Sequence, residues 1–218
     1  MTSTVRLLKK TGAMPGAIFG RYADREVYRL LLEGRVEVFA ALAGELAQAL
    51  ASSGATCVAG DAVEGFNPVH DICRLLIDSA VRIVRCDTGR TLENYDFVLD
   101  GTPDTSPATL QNGTLRLRLD SAAVERKVTA ALDYPELRTE VDEALAQFGK
   151  QAFAVECLRP PTTAQMIASF ETALPAYERY GEERRKMGRY TEVIRYREHV
   201  LPVLRAIEEA ASCKTTAP

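Results

Sequence analysis

Apolar residues recur at helical spacing along much of the chain. Val27, Leu30 and Leu31 form a stripe behind Asp24, which can cap a helix. Gly34 interrupts the pattern, and Phe39, Leu42, Leu46 and Leu50 resume it up to Gly54, a plausible C-terminal stop. Asn67 is a good N-cap and Pro68 suits the first helical position. The helix predicted after them turns Ile72, Leu75, Leu76, Ala80 and Ile83 inward and leaves Arg74, Asp78 and Arg82 on the other face. Asp120 caps a helix through Val124, Val128, Ala131 and Leu132. Pro135 opens another, with Leu137, Val141, Leu145 and Phe148 inward and Gly149 at its end. From about residue 162 the chain reads as helical, with Met166, Phe170 and Leu174 in one stripe. A final helix carries Val193, Tyr196, Val200, Leu204, Ile207 and Ala211, and Pro202 inside it should bend it.

Between these lie strand patterns. Ala55 to Ala59 is a short apolar run bounded by Gly54 and Gly60, and Tyr95 to Leu99 is another. Leu115, Leu117 and Leu119 alternate with Arg116 and Arg118, which gives a strand with one wet face. Phe153 to Leu158 is halted by Pro160-Pro161, and Val5 to Leu8 makes a further short strand. Strands alternating with helices predict an α/β fold: a mostly parallel central sheet flanked by helices, with a helical C-terminal segment. The 218 residues fit a single domain over 1–218, with a disordered tail from about 213.

Composition narrows the function classes. The chain is 46% hydrophobic and 26% charged, as globular proteins are, and its formal net charge of -3 gives no reason to expect nucleic acid or an anionic membrane as partner. No apolar run approaches the ~20 residues that span a bilayer. Met1 to Arg6 has no signal-peptide core, so a cytoplasmic location is expected. The 5 cysteines are widely spaced without a Cys-x-x-Cys pair, which predicts reduced and mostly buried thiols. Arginine outnumbers lysine and alanine is abundant, a bias that suggests a GC-rich bacterial genome. Oligomeric state is left open.

The candidate chemistry concentrates in Gly60 to Asp71, on the connection from the first clear strand to the helix after Asn67. Ligands in α/β sheets bind on such connections. Asp61, Glu64, His70 and Asp71 are the candidate catalytic residues. His70 and Asp61 are candidate ligands for zinc or another divalent ion, with a carboxylate left over to act as base. The bland alternative is that Asp61 and Asn67 are turn and cap residues and that His70 only hydrogen-bonds in the first turn. A second cluster runs from Tyr177 to His199, with tyrosines, arginines and interleaved acids; its bland reading is a solvated helical surface with half-buried tyrosines. In its functional reading, Arg195, Tyr196 and His199 reach the first loop and bind ligand there. Asn67, and Glu156 and Arg159 at a strand end, are further ligand-binding candidates. There is no Gly-rich phosphate loop and no Gly-x-Ser-x-Gly elbow.

Pro68-Val69-His70, behind a strand and an acidic, glycine-bearing loop, resembles the second metal motif of the PIG-L/LmbE-like N-deacetylases. That resemblance spans about residues 55–85 and implies a zinc-binding histidine at His70. The family's N-terminal His-x-x-Asp-Asp has no counterpart, because no histidine precedes His70. The resemblance therefore implies either a divergent member with different chemistry or a protein that has lost deacetylase activity. Glu64 to Asp71 and Tyr190 to Pro202 also resemble uncharacterised accessory proteins of leinamycin-type antibiotic-biosynthesis clusters, which carry no known activity. Two functions stay open: a small-molecule hydrolase or related enzyme of bacterial specialised metabolism, and a non-catalytic binding or accessory protein with an enzyme-like fold.

Overall fold

A computed structural model describes residues 3–103 and 112–212. The chain opens with α1 (Ser3–Thr11), α2 (Asp24–Leu32), α3 (Val36–Ser53), β1 (Cys57–Asp61), α4 (Pro68–Thr88) and β2 (Glu93–Phe97). It continues through β3 (Leu115–Arg118), α5 (Ser121–Leu132), α6 (Arg138–Phe148) and β4 (Val155–Leu158). The last part holds α7 (Thr163–Ser169), α8 (Ala176–Lys186), a π-helical turn (Tyr196–Val200) and α9 (Leu201–Ala210). The chain divides into two compact units, where its length suggested one domain: Met1–Gly16 with Gly101–Arg159, and Ala17–Asp100 with Pro160–Pro218. The predicted disordered tail from about 213 lies outside the described residues.

The larger unit holds the candidate loop. Local chemistry sets two of its helix ends as expected, but Asp24 does not cap α2: it is the first helical residue, and the N-cap position falls on Ala23, whose side chain makes no capping bond. Gly54 ends α3 at φ 68°, and the Asn67 side chain accepts from the Val69 amide at the start of α4. β1 and β2 pair in parallel, Cys57 with Glu93 through Asp61 with Phe97, with α4 as the crossover. The mixed helix–strand character is therefore present, but the central sheet is not: among the described residues, this parallel sheet has two strands. The reason lies in where the apolar surface is. A parallel sheet needs both faces covered, yet none of the residues of β1 is fully buried. The core forms between helices instead, where Phe39 and Leu42 of α3, Ile72 and Leu75 of α4, and Val203 and Ile207 of α9 bury together.

Two further expectations are corrected in this unit. Arg74, assigned to the polar face of α4, is 0% exposed. Its guanidinium donates to the Tyr95 carbonyl at 2.7 Å, to Asn94 at 2.6 Å and to Asp78 at 2.7 Å, while Asp78 also accepts from Thr163 at 2.5 Å. This buried network fastens α4 to β2 and α7. Pro202 sits where the π-helical turn runs directly into α9, so the irregularity expected around it takes the form of wider helical hydrogen bonding over Tyr196–Val200. Cys86, at the C-terminal end of α4, is disulfide-bonded, and Cys57 and Cys73 are exposed, so the thiols are neither all reduced nor mostly buried. The buried Asp96 of β2 accepts the Thr162 amide at 3.1 Å and so ties the segment before residue 100 to the one after residue 160.

In the smaller unit β3 and β4 pair antiparallel, Leu115 with Leu158 through Arg118 with Val155. Asp120 caps α5 by accepting from Ala123 at 2.7 Å, and Val124, Val128 and Ala154 form a small core. The alternation in β3 does not produce a buried face, since Leu115 and Leu117 are 46% and 56% exposed. Leu137 and Phe148, expected inward, are also exposed. The predicted strand at Val5–Leu8 is part of α1, because a short apolar run does not by itself separate strand from helix. Among the described residues, no helix is long and apolar enough to cross a membrane.

Candidate functional site

The loop from Ala62 to Asn67 is fixed at both ends. The Ala62 amide donates to the Phe97 carbonyl at 2.8 Å, which extends the β1–β2 pairing by one bond. Val63 is buried in the core. Gly65 has φ 72°, and a Cβ there would lie 2.9 Å from the Phe170 ring and 3.2 Å from Pro175, so only glycine fits both the backbone and the space. Its carbonyl accepts from the Tyr177 amide at 2.9 Å.

The four candidate catalytic residues converge on this loop with different tasks. His70 Nδ1 lies 2.5 Å from Asp61 Oδ2, with the imidazole side chain 43% exposed and the carboxylate 24%. Asp71, in the first turn of α4, accepts the Glu64 amide at 3.0 Å and the Gly65 amide at 3.3 Å on Oδ1. The Glu64 carboxylate accepts the Leu99 amide at 2.9 Å and the Asp100 amide at 3.4 Å. Asn67 accepts from the Val69 amide at 2.9 Å and from the Tyr28 hydroxyl at 3.4 Å. Glu64, Asn67 and Asp71 thus brace the loop, and the Asp61–His70 pair stands at its open side.

Burial pushes the Asp71 carboxyl up to about 6, and the Glu64 charge adds to the rise, while the two loop amides and His70 pull against it. Asp71 is 2% exposed, and its Oδ2 has no hydrogen-bond partner. The Tyr177 hydroxyl is also buried without a partner. Its ionisation is pushed far up, first by burial and then by the charges of Asp71 and Glu178, so it remains a neutral phenol.

Two clefts open here. One, of about 280 Å³, is lined by Glu64, Phe66, His70, Asp71 and Leu99 among others. The other, of about 450 Å³, is lined chiefly by Tyr28, Tyr177, Tyr180, Tyr190 and Val193. Phe66 and Asn67 line both. Burial and the charge of Asp24 push the Tyr28 hydroxyl up, which keeps that phenol neutral too. Tyr180 and Tyr190 meet edge to face at 6.4 Å.

The final helix does not complete the site as predicted. Arg195 is committed to Glu182, at 2.8 and 2.6 Å, and to Glu198 at 3.1 Å. Tyr196 is 2% exposed and packs edge-on against Phe170 at 5.4 Å. His199 Nδ1 accepts the Arg195 amide at 2.9 Å, and the Tyr196 amide donates to the buried Glu178 at 2.8 Å. These residues cap the helix start and fill the core. It is α8 that returns to the loop, through Tyr177. Glu156 belongs to the smaller unit, where it pairs with Lys127 at 2.6 Å. Arg159, the last residue of that unit, is 4% exposed and lines neither cleft. The sequence reading missed Tyr28 and Phe66. Tyr177, Tyr180 and Tyr190 stood out only as members of a cluster of tyrosines, arginines and interleaved acids, and no local spacing connects them to the loop.

The donors do not fit zinc. Asp61 turns Oδ2 onto His70, Glu64 and Asp71 hold backbone amides, and among the described residues no three His, Cys, Asp or Glu side chains are grouped to hold a metal ion. Compared with known proteins, the chain matches no family model, no curated protein and no solved structure.

Proposed function

We propose that this protein is a small-molecule hydrolase in which His70, oriented by Asp61, acts as general base. The observation that carries this reading is the 2.5 Å contact between His70 Nδ1 and Asp61 Oδ2, with the ring half-exposed on a cleft. A carboxylate on Nδ1 keeps the proton there and leaves Nε2 to accept one from a bound water. The same carboxylate stabilises the imidazolium that results. Attack of that water on an acyl carbon, followed by return of the proton from Nε2 to the leaving group, completes hydrolysis. Glu64 and Asp71 contribute by holding the loop in place, and no step is routed through a metal. The setting in bacterial specialised metabolism rests on the sequence resemblance alone.

The test is hydrolysis of a panel of small acyl esters and N-acyl amines by the native chain and by His70→Ala and Asp61→Asn. Each substitution should lower kcat/KM by about 10²- to 10⁴-fold, the usual contribution of a positioned general base, with an unchanged far-UV spectrum. Variants that retain native turnover would refute the assignment. The second reading, a non-catalytic binding protein, is favoured by the fact that Glu64, Asn67 and Asp71 spend their hydrogen bonds on the loop's own backbone. It predicts ligand affinity that survives His70→Ala and no turnover at all.

A further inference from the structure

The larger cleft carries a more specific statement about the ligand. It is walled by Tyr28, Tyr177, Tyr180 and Tyr190, with Phe66 at its border and Glu192 on its lining. Among the described residues, no lysine or arginine lines it, and none lines the smaller cleft, which adds Glu64, Asp71 and Asp100. Aromatic faces and carboxylates present negative potential, met only by Arg184 against the outer wall at Tyr180 and by His70 on the smaller lining. An anionic ligand in the larger cleft would meet Glu192 and the tyrosine faces, and a neutral one would leave that field unused.

Two buried groups that feel one another border the clefts without a hydrogen-bond partner. Tyr177 lines the larger cleft, is 8% exposed, and its hydroxyl has no partner. Asp71 lines the smaller one, is 2% exposed, and its Oδ2 has no partner. Buried polar atoms without a partner are uncommon in folded proteins; the Tyr177 phenol can both donate and accept, whereas Asp71 Oδ2 when ionised only accepts. The chain already shows the cation–ring contact, because the Arg184 guanidinium lies 4.7 Å from the centre of the Tyr180 ring. The volume of about 450 Å³ lies within the range of small-molecule sites.

We infer that the tyrosine-lined cleft binds an organic ammonium: an amine carried on an aromatic or similarly flat apolar body, its cation held by the tyrosine faces and Glu192. This names the ligand class of the proposed hydrolase and rests on that reading only for the chemistry that follows binding. The hydrolysed group would then extend past Phe66 and Asn67 into the cleft that holds His70.

The experiment uses the full chain and three probes of one shape: 2-phenylethylamine, 2-phenylethanol and phenylacetate. The chain has 0 tryptophans and 8 tyrosines, so tyrosine fluorescence reads binding without interference, and calorimetry gives the constants. The amine should bind about tenfold more tightly than the alcohol, as a cation–ring contact predicts, and phenylacetate should bind more weakly than either. Tyr190→Leu should weaken the amine by about fivefold, and Glu192→Gln should shrink its advantage over the alcohol. His70→Ala should leave amine binding within about twofold, since His70 lines the other cleft. Equal binding of all three probes, preference for the carboxylate, no amine binding at 20 mM (about 2 kcal/mol of affinity), or an amine constant unmoved by Tyr190→Leu would each overturn the inference. Amine binding without turnover of any amide or ester would leave it standing and remove the hydrolase reading instead.

Discussion

Asp71→Asn should stabilise the protein near neutral pH. In the unfolded chain this carboxyl ionises near 3.8, and in the fold it ionises near 6, mainly because it is buried. Between those values the native state holds a proton that the unfolded chain has released, so stability falls as pH rises from about 4 to about 6. Above about 7 both states are ionised and the whole cost is present, roughly 3 kcal/mol. Below about 3 both are protonated and the cost vanishes. Asparagine keeps an oxygen to accept from Glu64 and Gly65 and removes the charge. The difference in unfolding free energy, variant minus native, should therefore climb by up to about 3 kcal/mol between pH 4 and 7. Urea unfolding of both proteins at matched pH values, followed by tyrosine fluorescence, measures it. The exposed carboxylates that arginine or lysine hold below their ordinary range, Asp133 and Glu182 among them, contribute the opposite slope equally to both proteins and cancel. A difference that stays flat, or shrinks as pH rises, would refute the burial argument.

Two other perturbations separate structural from functional groups. Arg74→Ala strips the donors from Asn94, the Tyr95 carbonyl and Asp78, and should cost about 3–5 kcal/mol, as breaking buried ion pairs does; a thermal midpoint within two degrees of native (roughly the effect of 1 kcal/mol at most) would contradict it. His199→Ala should cost about 1 kcal/mol through the lost helix cap and leave turnover unchanged, whereas His70→Ala should do the reverse; urea midpoints and kcat/KM measured on both decide.

What the sequence made visible was what local chemistry decides. Asn67-Pro68 starts α4, Gly54 stops α3, and Asp120 caps α5, because each acts within a few residues of itself. Asp61 and His70 were legible as neighbours on one short loop, but as joint metal-ligand candidates and not as a hydrogen-bonded pair. Arg74 was not, because helical spacing sorts charge from hydrocarbon and cannot show that Asp78, Asn94 and the Tyr95 carbonyl will meet a guanidinium in the interior. His199 was misread because its partner is the backbone of Arg195 and not another side chain. The central sheet was overestimated for a related reason: β1 and β2 have strand-like residues, but the helices α3, α4 and α9 carry the surface that must be buried. The tyrosine cleft draws on α2, the loop and α8, which are far apart in the chain, and no pattern in one segment could have announced it.

The bond between Asp96 and the Thr162 amide has a topological consequence. It closes the larger unit at the neck where residues 101–159 leave and return. Ordering that unit therefore requires the chain to find itself again across a long detour, whose closure entropy grows only logarithmically with length. Replacing the detour by a bridge one-tenth as long would return about 2 kcal/mol of that entropy. The helices, the loop and both clefts would then form one uninterrupted thread, with the neck already tied by its own hydrogen bond.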